Sequence, residues 1–357
     1  MRAPAEPLSV ATAAEIIRQG GLVAIPTETV YGLAADAANP DAVLAIYEAK
    51  GRPRFNPLIV HCADRAMAGR LADFAPLAQR LAEKFWPGPL TLVMPLNQGA
   101  NLAALVTAGL STVAVRVPAH PLAHALIEAG GRPVAAPSAN PSGRLSPTTA
   151  QAVREAFAGK IPVLDGGPST DGVESTIVAA GTHALVLLRP GAITRAEIEA
   201  ATGVTIVDPA PGAKVASPGR ASIHYAPATP LRLAATSVEP GEALLAFGSR
   251  PPGTAGPMLN LSEAGDLREA ARNLFAHLAA LDRAGATAIA VMPIPDAGLG
   301  EAINDRLRRA AARLQFPHHP ACPGDPVARH EVRERLACTA DAASWMTRMK
   351  RVKRGRN

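Results

Sequence analysis

Along the first two hundred residues, apolar positions switch between helical spacing and short continuous runs. Ser9 precedes Val10, Ala13, Ala14 and Ile17, which predicts a capped helix with one apolar face. Leu22-Val23-Ala24-Ile25 predicts a short buried strand. Asn39-Pro40-Asp41 predicts a helix start: a capping side chain, proline at the first helical position, then an acid at the positive end of the dipole. Val43, Leu44, Ile46 and Tyr47 supply that helix's apolar face, and Gly51 ends it. Further strands are predicted at Leu58-Ile59-Val60, at 90–94 and at 113–117, with helical segments at about 64–84 and 120–129. Alternation of this kind builds a layered α/β or α+β architecture.

The pattern breaks near Pro209-Ala210-Pro211-Gly212. Pro, Gly, Ala and Ser then dominate as far as Pro230 without apolar periodicity, so 209–230 reads as a linker. Beyond it come a strand at 243–248, a helix at 267–281, a strand at 288–292 and a helix at 302–314. Strand–helix–strand–helix predicts a small parallel-sheet unit. No element is predicted from about residue 315 onward, and no internal repeat is visible.

A chain of 357 residues has room for about two domains and an ample core. Aromatic residues are only 3%, which argues against a binder built on stacked aromatics. The net charge of +6 invites a nucleic-acid reading. Its distribution weakens that reading: six of the 36 Lys and Arg lie between Arg348 and Arg356, and the other 30 match the 30 Asp and Glu. The body is formally neutral, and the excess sits in one basic run. The 3 cysteines are too few and too scattered for a disulfide framework. No signal peptide and no apolar run long enough for a membrane span are seen, so a cytoplasmic protein is expected.

No phosphate-binding glycine loop, dinucleotide fingerprint or His-Glu-x-x-His motif is present. Four polar strings at strand ends carry the chemistry instead. Thr27-Glu28-Thr29-Val30-Tyr31 follows the first strand; it either binds a small polar molecule or caps a turn. Lys50-Gly51-Arg52 precedes prolines that favour extended backbone, so Lys50 and Arg52 can face one site and hold phosphate or carboxylate. The alternative is a basic helix C-terminus. Only six lysines occur in the chain, which favours a specific role for Lys50. Arg116 lies in an apolar strand and needs an anionic partner, either a protein carboxylate or a bound anion. Ser138 and Asn140 repeat the i, i+2 arrangement before a proline, and Ser146-Pro147-Thr148-Thr149 reads as a helix start. The last string joins Glu174-Ser175-Thr176, Arg189-Pro190-Gly191, and in the linker Ser217-Pro218-Gly219 with His224-Tyr225-Ala226-Pro227. Tyr225 is either a packing residue or one that closes over a ligand.

In this order the strings resemble the threonylcarbamoyl-AMP synthase family, over about residues 8 to 312. The linker strings resemble its two-domain form. The resemblance implies an open, twisted α/β sheet in a catalytic domain at 8–208, a linker at 209–230 that can close over the site, and a smaller Rossmann-like α/β domain at 231–314. Residues 315–357 would be a poorly ordered extension ending in the basic run. The implied reaction joins L-threonine, bicarbonate or CO2 and ATP into threonylcarbamoyl-AMP and pyrophosphate. Downstream proteins would then transfer the threonylcarbamoyl group to tRNA. By family pattern Lys50, Arg52, Ser138 and Asn140 would be catalytic. Arg52, Asn56, Thr112, Ser138, Ser146, Arg189 and Tyr225 would contact ATP. Thr29, His61, Arg116, Ser175 and Thr176 would contact threonine. Positioning and charge neutralisation would carry such a condensation. ATP is expected as substrate with Mg2+, although no dedicated carboxylate cage for a metal is visible.

Two stretches depart from the family pattern. Residues 219–224 carry fewer basic and aromatic side chains than the family's linkers. The C-terminal extension matches nothing in the family, and its His318, His319, Cys322, His330 and Cys338 fit no standard zinc spacing. The competing reading is an RNA-binding module without chemistry, for which the basic run would supply a weak tRNA contact. A carbamoyl-transferring maturation enzyme would need zinc-type cysteine motifs that the sequence lacks.

Overall fold

The computed structural model describes residues 7–210, 225–249 and 256–312. The strings around Ser217 and His224, the basic run, and the histidines and cysteines of the extension lie outside the described residues.

In chain order the first elements are α1 (Val10–Arg18), β1 (Val23–Ile25), β2 (Gly32–Asp36), α2 (Pro40–Lys50), β3 (Ile59–His61), α3 (Arg65–Gly69) and α4 (Pro76–Phe85). Then follow β4 (Leu90–Pro95), α5 (Ala104–Thr107), β5 (Thr112–Arg116), α6 (Pro121–Gly130), β6 (Val134–Ala135) and α7 (Ala150–Ala156). The larger unit closes with β7 (Thr176–Ala180), β8 (Leu185–Arg189), α8 (Arg195–Thr202) and β9 (Ile206–Val207). The smaller unit holds β10 (Leu231–Arg232), β11 (Ala243–Ala246), β12 (Met258–Asn260), α9 (Leu267–Asp282), β13 (Ile289–Val291) and α10 (Leu299–Ala311).

Local chemistry explains the helix ends. Ser9 accepts from the Thr12 amide and caps α1. Asn39 caps α2 with Pro40 behind it, and Gly51 ends the helix at φ 58°. Thr149 caps α7, so the Ser146–Thr149 string does start a helix. The single helix expected at 64–84 is instead two, α3 and α4. Asp64 caps the first, and Pro76 opens the second after a bridge from Ala72 to Leu96. Among the described residues, β2, β6, β7, β8, β9, β10 and β12 are strands that periodicity did not single out.

Nine strands of the larger unit form one mixed sheet in the order β1-β2-β6-β3-β5-β4-β7-β8-β9. The pairs β3/β5, β4/β7 and β8/β9 are parallel. Strand alternation divides its residues between two faces. Val60, Leu92, Val113, Val115, Val178 and Leu187 belong to the main core, which includes buried residues of α1, α2, α4 and α6. Ile59, Val93, Ala114, Ile177 and Leu188 form a smaller cluster on the opposite face. His61 and Arg116 fall on this second face by the same period of two. The smaller unit is a parallel sheet in the order β10-β13-β11-β12. Leu231, Leu245 and Ile289 pack with Leu274 and Leu278 of α9 and Ile303 and Leu307 of α10. Val173 of the larger unit joins that cluster. At the seam, a Cβ on Gly172 would sit 2.3 Å from the Arg272 Cα, so only glycine permits this approach.

Candidate active site

A cavity opens at one end of the sheet's second face. Its floor comes from adjacent strand ends. β3 and β5 run parallel with His61 opposite Arg116, so both side chains leave the same edge together. Thr27, Thr29 and Val30 line one side, and Ala136, Pro137 and Ser138 line another. Arg52, Glu174, Ser175, Arg189 and Tyr225 complete the lining.

The turn after β1 is self-supporting. Thr27 Oγ1 donates to the Val30 carbonyl at 2.6 Å and lies 2.8 Å from Thr29 Oγ1. Having given its proton to Val30, Thr27 accepts from Thr29, and Thr29 accepts from Arg116 Nη1 at 2.9 Å. The segment therefore both caps its own turn and faces the cavity. Arg116 finds a protein carboxylate: Glu28 Oε1 lies 2.6 Å from its Nη2, with both side chains buried. Burial alone would raise the Glu28 pKa, but Arg116 overrides it and the carboxyl titrates below its ordinary range. His61 beside them is held neutral. Burial first, then Arg116, lower its pKa to about 3. Its Nδ1 has no hydrogen-bond partner. Asp171, whose amide donates to the Glu28 carbonyl, is pushed up to about 6 by burial and by Glu28.

Arg189 reaches the cavity through a β-bulge. Ile177 pairs with Arg189, yet Val178 pairs with Leu187, so Leu188 is the extra residue. In a regular strand Arg189 would share the face of Leu187, toward the main core. The bulge re-aims it onto the face of Ile177. Arg189 then donates to the Ser175 carbonyl at 3.1 and 2.9 Å and to Ser175 Oγ at 3.1 Å. Arg52 donates to the carbonyls of Asn56 at 3.1 Å and Pro57 at 2.8 Å. No carboxylate lies within ion-pair distance of Arg52 or Arg189 among the described residues. Burial, with the charge of Arg189 adding to it, brings the Arg52 pKa down to about 10. Two buried guanidiniums served only by neutral carbonyls and one hydroxyl suit the cavity to an anion.

Thus Thr29, Arg52, His61, Arg116, Ser138, Ser175, Arg189 and Tyr225 come together around one cavity. The other candidates stand behind it or away from it. Lys50 ends α2 rather than an extended segment, and the left-handed Gly51 turns Arg52 back beside it. Lys50 Nζ donates to the carbonyls of Ser138 (2.6 Å) and Asn140, which ties down the 138–140 loop from the rear. Burial and Arg52 push its pKa well below the usual lysine range. Asn140 donates to the carbonyls of Pro141 and Arg144. Asn56 serves Arg52 and Tyr47 through its carbonyl. Ser146 donates to Glu174, and Thr176 to the Ile193 carbonyl. Thr112 pairs with Pro95 four residues from Arg116, roughly 13 Å up the strand.

Sequence reasoning passed over Glu28 and Glu174 as charge partners, and missed Arg306 altogether. Arg306 carried one signal: it falls among Ala302, Ile303, Leu307 and Ala310 on the apolar stripe of α10. Among the described residues no three His, Cys, Asp or Glu side chains form a metal-binding group. Glu28 and Glu174 are each neutralised by an arginine, so protein carboxylates here do not fit a magnesium cage. No helix among the described residues is long and apolar enough to cross a membrane.

A family model described as "Telomere recombination", for Sua5, YciO and YrdC proteins, matches residues 15–191. A second, described as "Threonylcarbamoyl-AMP synthase, C-terminal domain", matches residues 193–312. The threonylcarbamoyl-AMP synthase of Bacillus subtilis is 44% identical over 85% of this chain and 92% of that protein. The chain belongs to the threonylcarbamoyl-AMP synthase family. It has the two-domain form, since both family models match in sequence order. The threonylcarbamoyl-AMP synthase of Pyrococcus abyssi is 43% identical over 86% of this chain and 95% of that protein. The crystal structure of P. abyssi Sua5 complexed with L-threonine superposes with a TM-score of 0.78 at 42% identity, covering 85% of this chain and 94% of that one. A variant of that archaeal family member, with a His and a neighbouring Tyr changed to Ala, gives 0.76 at 39% identity over 87% of this chain and 96% of that one.

Proposed function

We propose that this chain condenses L-threonine, bicarbonate or CO2 and ATP into threonylcarbamoyl-AMP and pyrophosphate. The single observation that carries the reading is the pair Arg52 and Arg189, buried in one cavity without a carboxylate partner among the described residues. A polyphosphate supplies the charge that such a pair lacks. On this reading ATP lies along Arg52, Ser138, Arg189 and Tyr225. Threonine lies against Thr29, His61, Arg116 and Ser175, its carboxylate near Arg116. Lys50, Asn140, Asn56, Ser146 and Thr176 hold the walls that these residues stand on. Threonine's amine adds to CO2 and releases a proton, giving a carbamate. A carbamate oxygen then attacks the α-phosphorus, and the bond to pyrophosphate breaks.

Magnesium would arrive on the phosphates as part of the nucleotide substrate, supplying counter-charge there. This chain's own residues orient the two substrates and spread positive charge along the nucleotide. The product is an activated acyl donor, which tRNA threonylcarbamoyl transferase proteins would consume.

The test is a reaction of the purified full chain with ATP, magnesium, threonine and bicarbonate, read by mass spectrometry for threonylcarbamoyl-AMP and by pyrophosphate release. Product that needs all three substrates and is lost in Lys50→Ala is the expected result. Absence of that adenylate from the unmodified chain would overturn the reading.

A further inference from the structure

The smaller unit sends one charged side chain into the wall of the cavity. The Arg306 side chain of α10 is completely buried, and it meets the largely buried Glu174 carboxylate at 2.8 Å through Nε. Its Nη1 donates to the carbonyl of Pro190 at 2.9 Å and to Asp305 at 2.8 Å. The guanidinium also lies over the Tyr225 ring, 5.2 Å from its centroid. Each partner outside α10 is part of the cavity wall or adjoins it. Glu174 and Tyr225 line it, and Pro190 follows Arg189, which lines it too.

An arginine is a poor choice if joining two units is the only task. A buried ion pair is often matched or bettered in stability by apolar residues of similar volume. What an apolar side chain cannot do is orient a carboxylate, a carbonyl and an aromatic face at once. These three come from separate segments. Glu174 in turn accepts from Ser146. Tyr225 needs such support, because its φ of 63° lies in the left-handed region that a bulky side chain rarely adopts. Beside it, the Ala226 amide donates to the Gly143 carbonyl, and the ring also packs on Phe275 of α9.

We propose that Arg306 is a positioning residue for the nucleotide side of the cavity, holding Glu174, Tyr225 and the Arg189–Pro190 segment in register from the smaller unit. The proposal rests on the ATP-and-threonine reading given above. Of the threonine side, Thr29, His61 and Arg116 have no contact with Arg306 among the described residues, and Ser175 is linked to it only indirectly, through Glu174 and Arg189.

The test compares Arg306→Met, Arg306→Lys and Glu301→Gln in the full chain. Glu301 is the control: it makes a different bridge from the same helix, to Arg195 at 2.9 Å, away from the cavity. Arg306→Met should raise the KM for ATP about tenfold or more and the KM for threonine, which feels the change only through Ser175, by distinctly less. Arg306→Lys, which keeps the charge for Glu174 but not the separate N–H to the Pro190 carbonyl, should recover part of the loss. Glu301→Gln should leave both constants unchanged. Hydrogen exchange of the peptide covering 225–230 should accelerate in Arg306→Met with α9 still protected. Equal rises in both KM values, or no change in either together with unchanged exchange at 225–230, would overturn the positioning role. Failure of the unmodified chain to make the adenylate would instead sink the functional reading, and the exchange comparison would still decide whether Arg306 holds Tyr225.

Discussion

Replacing Glu28 by glutamine keeps the side chain's shape and removes its charge. Arg116 would then keep a guanidinium with 4% side-chain exposure and no carboxylate at 2.6 Å. Its remaining acceptors are neutral: the Gly88 carbonyl at 3.1 Å and Thr29 Oγ1 at 2.9 Å. His61 next to it is neutral too, with a pKa of about 3. Breaking one side of a buried pair costs roughly 3–5 kcal/mol, because the surviving charge is uncompensated. Glu28→Gln should therefore lower unfolding free energy at pH 7 by that amount, read as a shift of the urea midpoint by circular dichroism. A double change with Arg116→Gln should be less damaging than the sum of the two single changes, since it removes the orphaned charge along with its partner. Threonine adds a further reading. If its carboxylate lies against Arg116, saturating threonine stabilises Glu28→Gln more than it stabilises the unmodified chain. At a hundred times Kd, linkage alone supplies about 2.7 kcal/mol. A loss below about 1 kcal/mol, the range of exposed pairs, would refute the reasoning.

Three further outcomes are expected. Because His61 has a folded pKa of about 3 against an ordinary 6.5, the unfolded chain binds a proton in that window that the folded chain does not. Stability from this group is complete above about pH 6.5 and falls as pH drops toward 3. Between pH 6.5 and 4.5 the loss amounts to roughly 2 kcal/mol. Asp171, raised from 3.8 to about 6, runs the other way, so the measurement is the difference in urea midpoints between the unmodified chain and His61→Gln at each pH. Gly172→Ala should depress the melting temperature strongly, since its Cβ would meet the Arg272 backbone at 2.3 Å. Gly51→Ala also has a positive φ, but nothing lies within 4 Å, so it should cost only about 1 kcal/mol.

Much of the local architecture was legible from neighbouring residues. Ser9 and Asn39 cap their helices because the amides they satisfy lie two or three residues along the chain. His61 and Arg116 converge because the parallel strands β3 and β5 place their C-terminal ends at one edge, and the antiparallel pairing of β4 with β5 brings the start of β7 to that edge as well. The short strands β2, β7 and β8 were not singled out, because a run of three to five residues, some buried on both faces, carries too little alternation to announce itself.

Chain order and residue type thus settled which chemical groups would stand at the site, since both are local properties. The partner and direction of each group depended on residues far away in the chain. Arg116 could have awaited a bound anion; the fold gave it Glu28 and, 87 positions away, the Thr29 hydroxyl. Lys50 could have faced the cavity; the loop 88 positions away drew it to the Ser138 carbonyl. Arg189 reached the cavity only through the bulge in β8, which no period of two could reveal. Arg306 meets Glu174 across 132 positions, on an apolar helix face where periodicity alone would expect another leucine. Burying a charge is favourable only where the packed fold supplies its partner, so those choices belong to the tertiary structure.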